Sequence, residues 1–138
     1  MNYEKLIQMR DRQNPFSVFL GIKTTKIENG YAEVELKLKP EYLNPTKVVH
    51  GGCLYTLGDV ASGAAAASFG TKAVTISGEY HYLAAAKNTE KIKACAKCIK
   101  PGKTLVFFDV ELTDDHGNLI GKGMFVYYRL LEEIISFD

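Results

Sequence analysis

Neither sign of charge dominates this chain of 138 residues: 17 Lys and Arg against 16 Asp and Glu leave a formal net charge of +1. Without a one-signed field, nothing draws it to nucleic acid or to an anionic membrane, so a small molecule or another protein is the expected ligand. Cysteine is scarce and odd in number, three residues with Cys53 inside an apolar stretch, which argues against a disulfide framework. Long apolar runs are missing as well. The weakly polar segment from Cys53 to Gly70 is interrupted by Asp59, by glycines and by hydroxyls, unlike a membrane-spanning helix. The opening "MNYEKLIQMRDRQ" alternates charge with apolar residues and has no continuous apolar core of the signal-peptide kind. These absences together predict a cytoplasmic protein in a reducing compartment. The length suits one domain, over residues 1–138, with a core of its own.

What is present is a set of periodic segments. Leu6, Ile7 and Met9 among charges predict a short amphipathic helix, part of a helical extension over residues 1–14 that docks at an edge of the domain. Ser17 to Ile27 reads as a strand, and "ENG" at Glu28 to Gly30 as the turn into "YAEVELKLK". In that segment Ala32, Val34, Leu36 and Leu38 alternate with Glu33, Glu35, Lys37 and Lys39, the pattern of a half-buried antiparallel strand. A loop from Pro40 to Val49 leads to a Gly- and Ala-rich helix. Four more strands follow: "AVTISGEYHYL", "KIKACAKCIK", and two long ones joined by the turn "DDHGN". Strands joined by short turns with one internal helix predict an α+β fold, an antiparallel sheet of about five to six strands. The helix has almost no charged face, so the sheet must wrap it on more than one side.

Asp59 is the exception inside that helix, the one certain charge between Val48 and Thr71. A buried carboxylate is expensive unless it is satisfied or used. One account is a core aspartate bonded to hydroxyls such as Tyr55, Thr56 or Ser62; the other is a nucleophile or general base in a cleft. His50-Gly51-Gly52 stands where the helix begins, and backbone N–H groups there are unpaired and sit at the positive end of the helix dipole, fit to hold an oxyanion. His50 and Asp59 are separated by about 13 Å of helix rise, too far to serve one carbonyl from within one subunit. If they act together, the helix start of one protomer faces Asp59 of another, which predicts a dimer.

The spaced set of Asn44, His50-Gly51-Gly52, Leu57, Asp59 and Val74-Thr75 resembles the hot-dog-fold acyl-CoA thioesterases of the phenylacetate-degradation (PaaI) type, over about Phe16 to Arg129. The resemblance implies a sheet wrapped around one long central helix, a homodimer assembled into a homotetramer, and hydrolysis of an acyl- or aryl-CoA to free acid and coenzyme A. It implies Asp59 as nucleophile or water-activating base, and the Gly51 N–H as the group that polarises the thioester carbonyl. Asn44 and His50 then shape the pocket from the other protomer, and Thr75 positions water or the carboxylate. Coenzyme A enters as part of the substrate, with no separate cofactor and no metal. A non-catalytic acyl-CoA sensor is the alternative from another class, and a hot-dog hydratase the alternative enzyme. Lys87, Lys100 and Lys103 are candidates for the nucleotide phosphates, or solvated strand-end lysines. Cys95 and Cys98 have the spacing of a redox or zinc half-site, but on a strand residues three apart face opposite ways, and no second pair completes a zinc site. Tyr127 and the neighbouring aromatics read as core.

Overall fold

The computed structural model describes residues 1–134. Asn2 opens helix α1 (Tyr3–Gln13), its side chain accepting the Lys5 N–H, and Leu6 is fully buried beneath it. The next segment departs from the strand expected over Ser17 to Ile27. Asn14 caps a second short helix, α2 (Pro15–Leu20), with Pro15 at its first position, and only from Ile22 does the chain extend into β1 (Ile22–Glu28). Proline at the first helical position pre-sets φ and lacks a donor that would be unpaired anyway. Gly21, at φ 88°, then closes α2 in the left-handed region.

Asn29-Gly30 turns β1 into β2 (Tyr31–Lys37), where Ala32, Val34 and Leu36 are fully buried, as the alternation predicts. A single 3-10 turn (Pro40–Tyr42) and a loop precede α3 (Gly51–Ala67), and β3 (Thr71–Tyr82), β4 (Lys91–Pro101), β5 (Leu105–Asp114) and β6 (Leu119–Glu133) follow. The six strands form one antiparallel sheet in the order β1-β2-β4-β5-β6-β3. The sheet curls around α3, which touches all six strands. This is the hot-dog architecture expected from the sequence.

Small residues permit that wrapping. Leu54 and Leu57 reach into the sheet, each worth about 2 kcal/mol of burial, while Ala61 and Ala64 to Ala67 let strand side chains come down onto the helix. A Cβ on Gly58 would stand 3.0 Å from the Phe125 ring, so the helix approaches β6 there as closely as a glycine allows. β3 forms the sheet edge opposite β1. Its twelve residues are mostly exposed, Val74 at 47% and Ile76 at 53%. α1 packs on β1, the other edge. Cys95 and Cys98 face opposite sides of β4: Cys98 packs against the core and Cys95 meets the Glu33 carboxylate, and all three cysteines are free.

Candidate active site

The start of α3 is built by its loop. Asn44 Oδ1 accepts from the Thr46 N–H at 2.9 Å, the Thr46 hydroxyl at 2.8 Å and the Val48 N–H at 3.1 Å, so its carbonyl oxygen is spent on folding the turn. His50 is the N-cap, and its Nδ1 accepts the Gly52 N–H at 2.9 Å. That bond uses the Nδ1 lone pair, which puts the proton of the neutral ring on Nε2. The Gly51 N–H makes no hydrogen bond among the described residues. It is an open donor at the positive end of a 17-residue helix. The Tyr82 hydroxyl donates to Gly51 O at 2.9 Å, and the Tyr82 ring lies 3.1 Å from where a Cβ on Gly51 would stand. Asn44, Gly51 and Tyr82 line one cleft of about 330 Å³.

Asp59 lies elsewhere. It is half-buried rather than enclosed, and of the hydroxyls the sequence offers it only Thr75 reaches it; Tyr55, Thr56 and Ser62 do not. The Tyr55 hydroxyl donates to Gly78 O, Thr56 to Gly52 O and Ser62 to Gly58 O, each satisfied by backbone. Asp59 Oδ1 instead accepts from Thr75 Oγ1 at 2.7 Å and from the Tyr127 hydroxyl at 2.7 Å. The Tyr127 hydroxyl lies equally close to Asp59 O, so its one proton is shared between the two oxygens. Among the described residues no hydrogen bond reaches Oδ2. The carboxylate is thus fixed by one oxygen and free at the other.

Sheet register explains why these two hydroxyls meet. Thr75 and Tyr127 are direct cross-strand partners of β3 and β6, so both side chains leave the sheet on the same face, toward α3. Burial, with the Asp59 charge adding to it, raises the pKa of Tyr127 and keeps it a donor. Reading the sequence alone misses Tyr127, because an aromatic among aromatics carries no mark; only the pairing with Thr75 distinguishes it. Arg10 is missed as well. It extends from α1 into the electrostatic neighbourhood of Asp59 and Tyr127, where burial lowers its pKa and the Asp11 and Asp59 charges oppose the shift.

Of the residues predicted for the site, Thr75 and Asp59 stand in contact, and Asn44, His50 and Gly51 cluster at the helix start. α3 is helical throughout the interval between the clusters, so about 13 Å of rise separates them. No group of three or more His, Cys, Asp or Glu among the described residues is placed to hold a metal ion. Neither His81, whose ring pairs with Glu79 at 3.2 Å on the exposed edge, nor His116, in the β5–β6 turn, approaches either cluster. Lys100 and Lys103 lie at the β4–β5 turn, whereas Lys87 lines a second groove of about 530 Å³ with Lys37, Lys39 and Lys47. That groove shares Val49 and Ala86 with the Gly51 cleft, so the two are contiguous.

Residues 46–120 match the family model described as the thioesterase superfamily. Acyl-coenzyme A thioesterase 13 of Homo sapiens is 32% identical over 123 residues, which cover 86% of this chain and 88% of that protein. Among solved structures, the E. coli PaaI protein from the phenylacetic acid degradation operon superposes with a TM-score of 0.90 over 96% of both chains. At 22% identity that likeness shows the fold. A hypothetical thioesterase from Streptococcus pneumoniae TIGR4, solved with coenzyme A, superposes with a TM-score of 0.77 at 28% identity, over 82% of this chain and 88% of that one.

Proposed function

The chain belongs to the thioesterase superfamily and is a thioester hydrolase of the hot-dog fold, and from that premise we propose how it hydrolyses acyl-CoA. The observation that carries the mechanism is the asymmetry of Asp59: Oδ1 is held by two hydroxyls while Oδ2 is free. The thioester carbonyl oxygen points at the Gly51 N–H of one protomer, and Asp59 of the other acts on the carbonyl carbon. Acting as base, Asp59 takes a proton from water as the water oxygen bonds to that carbon. The carbonyl electrons move onto oxygen, where the Gly51 N–H and the helix dipole stabilise the charge. Collapse of the intermediate re-forms C=O and breaks C–S. Coenzyme A leaves as thiolate and takes up a proton, and the acid is released. Acting as nucleophile, Asp59 passes through an acyl anhydride that water then opens, giving the same products. His50 holds the Gly52 N–H, and with Asn44 it shapes the wall facing the substrate.

The exposed β3 edge supports dimerisation. A long, unpaired strand bearing Val74 and Ile76 is a template for another strand, and a second copy of β3 satisfies it by a two-fold axis. Such pairing sets two α3 helices side by side in opposite directions, which brings each helix start toward the partner subunit's Asp59. Apolar Phe16, Val18 and Phe19 on α2, exposed at 56%, 53% and 76%, offer a second surface for joining dimers into a tetramer. The four lysines of the neighbouring groove, none of them ion-paired among the described residues, suit the nucleotide phosphates of coenzyme A, with pantetheine lying along the Gly51 cleft. Three free thiols fit the reducing cytoplasm, and no described helix is long and apolar enough to cross a membrane.

Release of free thiol from a panel of acyl- and aryl-CoA thioesters, wild type beside Asp59→Asn, tests the assignment. Turnover by wild type and a loss of at least a hundredfold in the variant are expected, since acid–base catalysis by a placed side chain contributes about 10²–10⁴-fold. Equal rates overturn the role of Asp59. Tight acyl-CoA binding without turnover by wild type establishes the non-catalytic sensor instead.

A further inference from the structure

Beside Asp59, elements α1, α3, β3 and β6 line a half-open cavity of about 700 Å³. Met9, Ala67, Val74 and Leu130 give it an apolar wall, and Thr75 and Tyr127, which hold Asp59, form the end nearest the reaction centre. Most of its polar groups are committed. Lys72 pairs with Glu132 at 2.7 Å, the Thr71 hydroxyl accepts from Arg129 Nε at 3.0 Å, and Thr75 and Tyr127 donate to Asp59. Gln13 lies at the exposed rim.

Arg10 is the exception among the groups set deeper. It makes no hydrogen bond or ion pair within 4 Å among the described residues, and its Nε is shut off from solvent without a partner. The residue as a whole is half-buried and is among those that line the cavity. A Cβ on Gly63 would stand 3.1 Å from Arg10 Nη2 and 3.0 Å from the Tyr127 hydroxyl, so the glycine keeps a gap on α3 flanked by both groups. Asp11, the neighbouring carboxylate, is occupied: both of its oxygens accept the Thr24 N–H at 3.0 Å. A guanidinium has five donors, no acceptor and a fixed positive charge, and burying it without acceptors is unfavourable. A purely hydrocarbon occupant leaves those donors unmet. One that presents an oxygen satisfies them.

We propose that this cavity receives the acyl group and that Arg10 selects acyl groups carrying an oxygen acceptor, a carboxylate or a hydroxyl, away from the thioester. The proposal rests on the thioester-hydrolase reading above and narrows its substrate class. It gives α1 a second role: besides docking on β1, the helix supplies a specificity-determining side chain to its own subunit's site. Recognition by buried polar groups discriminates strongly, because the analogue lacking the oxygen leaves them unpaired.

The test is kcat/KM for two matched pairs, adipoyl-CoA against hexanoyl-CoA and 4-hydroxyphenylacetyl-CoA against phenylacetyl-CoA, with wild type, Arg10→Leu and Arg10→Lys. Wild type is expected to favour the oxygen-bearing member of at least one pair by tenfold or more, and Arg10→Leu to bring that ratio near one. Arg10→Lys retains the charge without the planar fork, so it keeps part of a carboxylate preference and little of a hydroxyl preference. The preferred pair identifies the acceptor. Hydrolysis of all four by wild type without preference overturns this proposal alone, as does a loss in Arg10→Leu that is equal for both members of each pair. Absence of hydrolysis of every thioester overturns the hydrolase reading and this proposal with it.

Discussion

Two inactive variants of this protein should restore each other when mixed. The first is Gly51→Pro. Gly51 occupies the first position of α3, where proline is tolerated, and His50 before it already has φ −59° and ψ 135°, the extended conformation that proline requires of its predecessor. The substitution removes the one N–H assigned to the oxyanion and leaves the helix in place. The Tyr82 ring must yield a few tenths of an ångström, and more than half of that residue is exposed. Losing an oxyanion donor lowers kcat by about 10²–10³, or ~2.7–4 kcal/mol of transition-state stabilisation. The second variant, Asp59→Asn, removes the proposed base but keeps an oxygen for the Thr75 and Tyr127 hydroxyls. On the proposed mechanism, with two clusters about 13 Å apart along one helix, a working site draws on two chains. After co-refolding at equal amounts, a site is intact when its Gly51 comes from an Asp59→Asn protomer and its Asp59 from a Gly51→Pro protomer. Random assortment makes that about one quarter of sites, so roughly 25% of wild-type activity returns. Thiol release gives the activity, and native mass spectrometry verifies the mixed species. Mixed oligomers that stay at the parents' activity refute the shared site.

Tyr127→Phe keeps the ring packing and deletes the donor to Asp59 Oδ1; since a hydrogen bond to a charged group is worth about 1.5–3 kcal/mol, kcat should fall about 10- to 100-fold with Tm lowered by only a few degrees. A kcat unchanged beside a lowered Tm assigns the hydroxyl to stability alone. Replacing Lys37, Lys39, Lys47 and Lys87 with Gln should raise KM at least tenfold for an acyl-CoA and leave the corresponding N-acetylcysteamine thioester unaffected; equal effects on both substrates remove the groove from coenzyme A binding. Asp114 should titrate below its ordinary 3.8, held there first by the Asn118 side chain and then by the Asn118 and His116 N–H groups of the β5–β6 turn. A depressed folded pKa means that its contribution is present above the ordinary value and is lost as pH falls through the depressed one. Asp114→Ala should therefore loosen the turn at neutral pH and make no difference in strong acid, read from amide exchange at Gly117 and Asn118.

Local signals in the chain were sufficient wherever one element carries its own pattern. The alternation of Ala32, Val34 and Leu36 marks a half-buried strand without knowledge of its neighbours. Small residues from Gly58 to Ala67 mark a helix that others must approach closely, and the glycines after His50 mark a helix start with donors to spare. The misread segment, Ser17 to Leu20, is too short to show a period; Asn14 and Pro15 were its only markers, a cap and a first-position proline.

Partners distant along the chain are a different matter. Tyr127 is 68 residues from Asp59 in sequence and meets it only because β3 and β6 pair with Thr75 opposite Tyr127. Arg10 reaches the same region because the sheet curls far enough for a helix docked on β1 to share a cavity with β3 and β6. The sequence by itself determined the central helix, with Gly51 at its start and Asp59 inside it, and the strands apart from the start of β1, since propensity, periodicity and capping act over a few residues. Tertiary structure added Tyr127 to Thr75 as a holder of the carboxylate and set the half-buried Arg10 in its neighbourhood, because register and curvature bring together groups that no local pattern links.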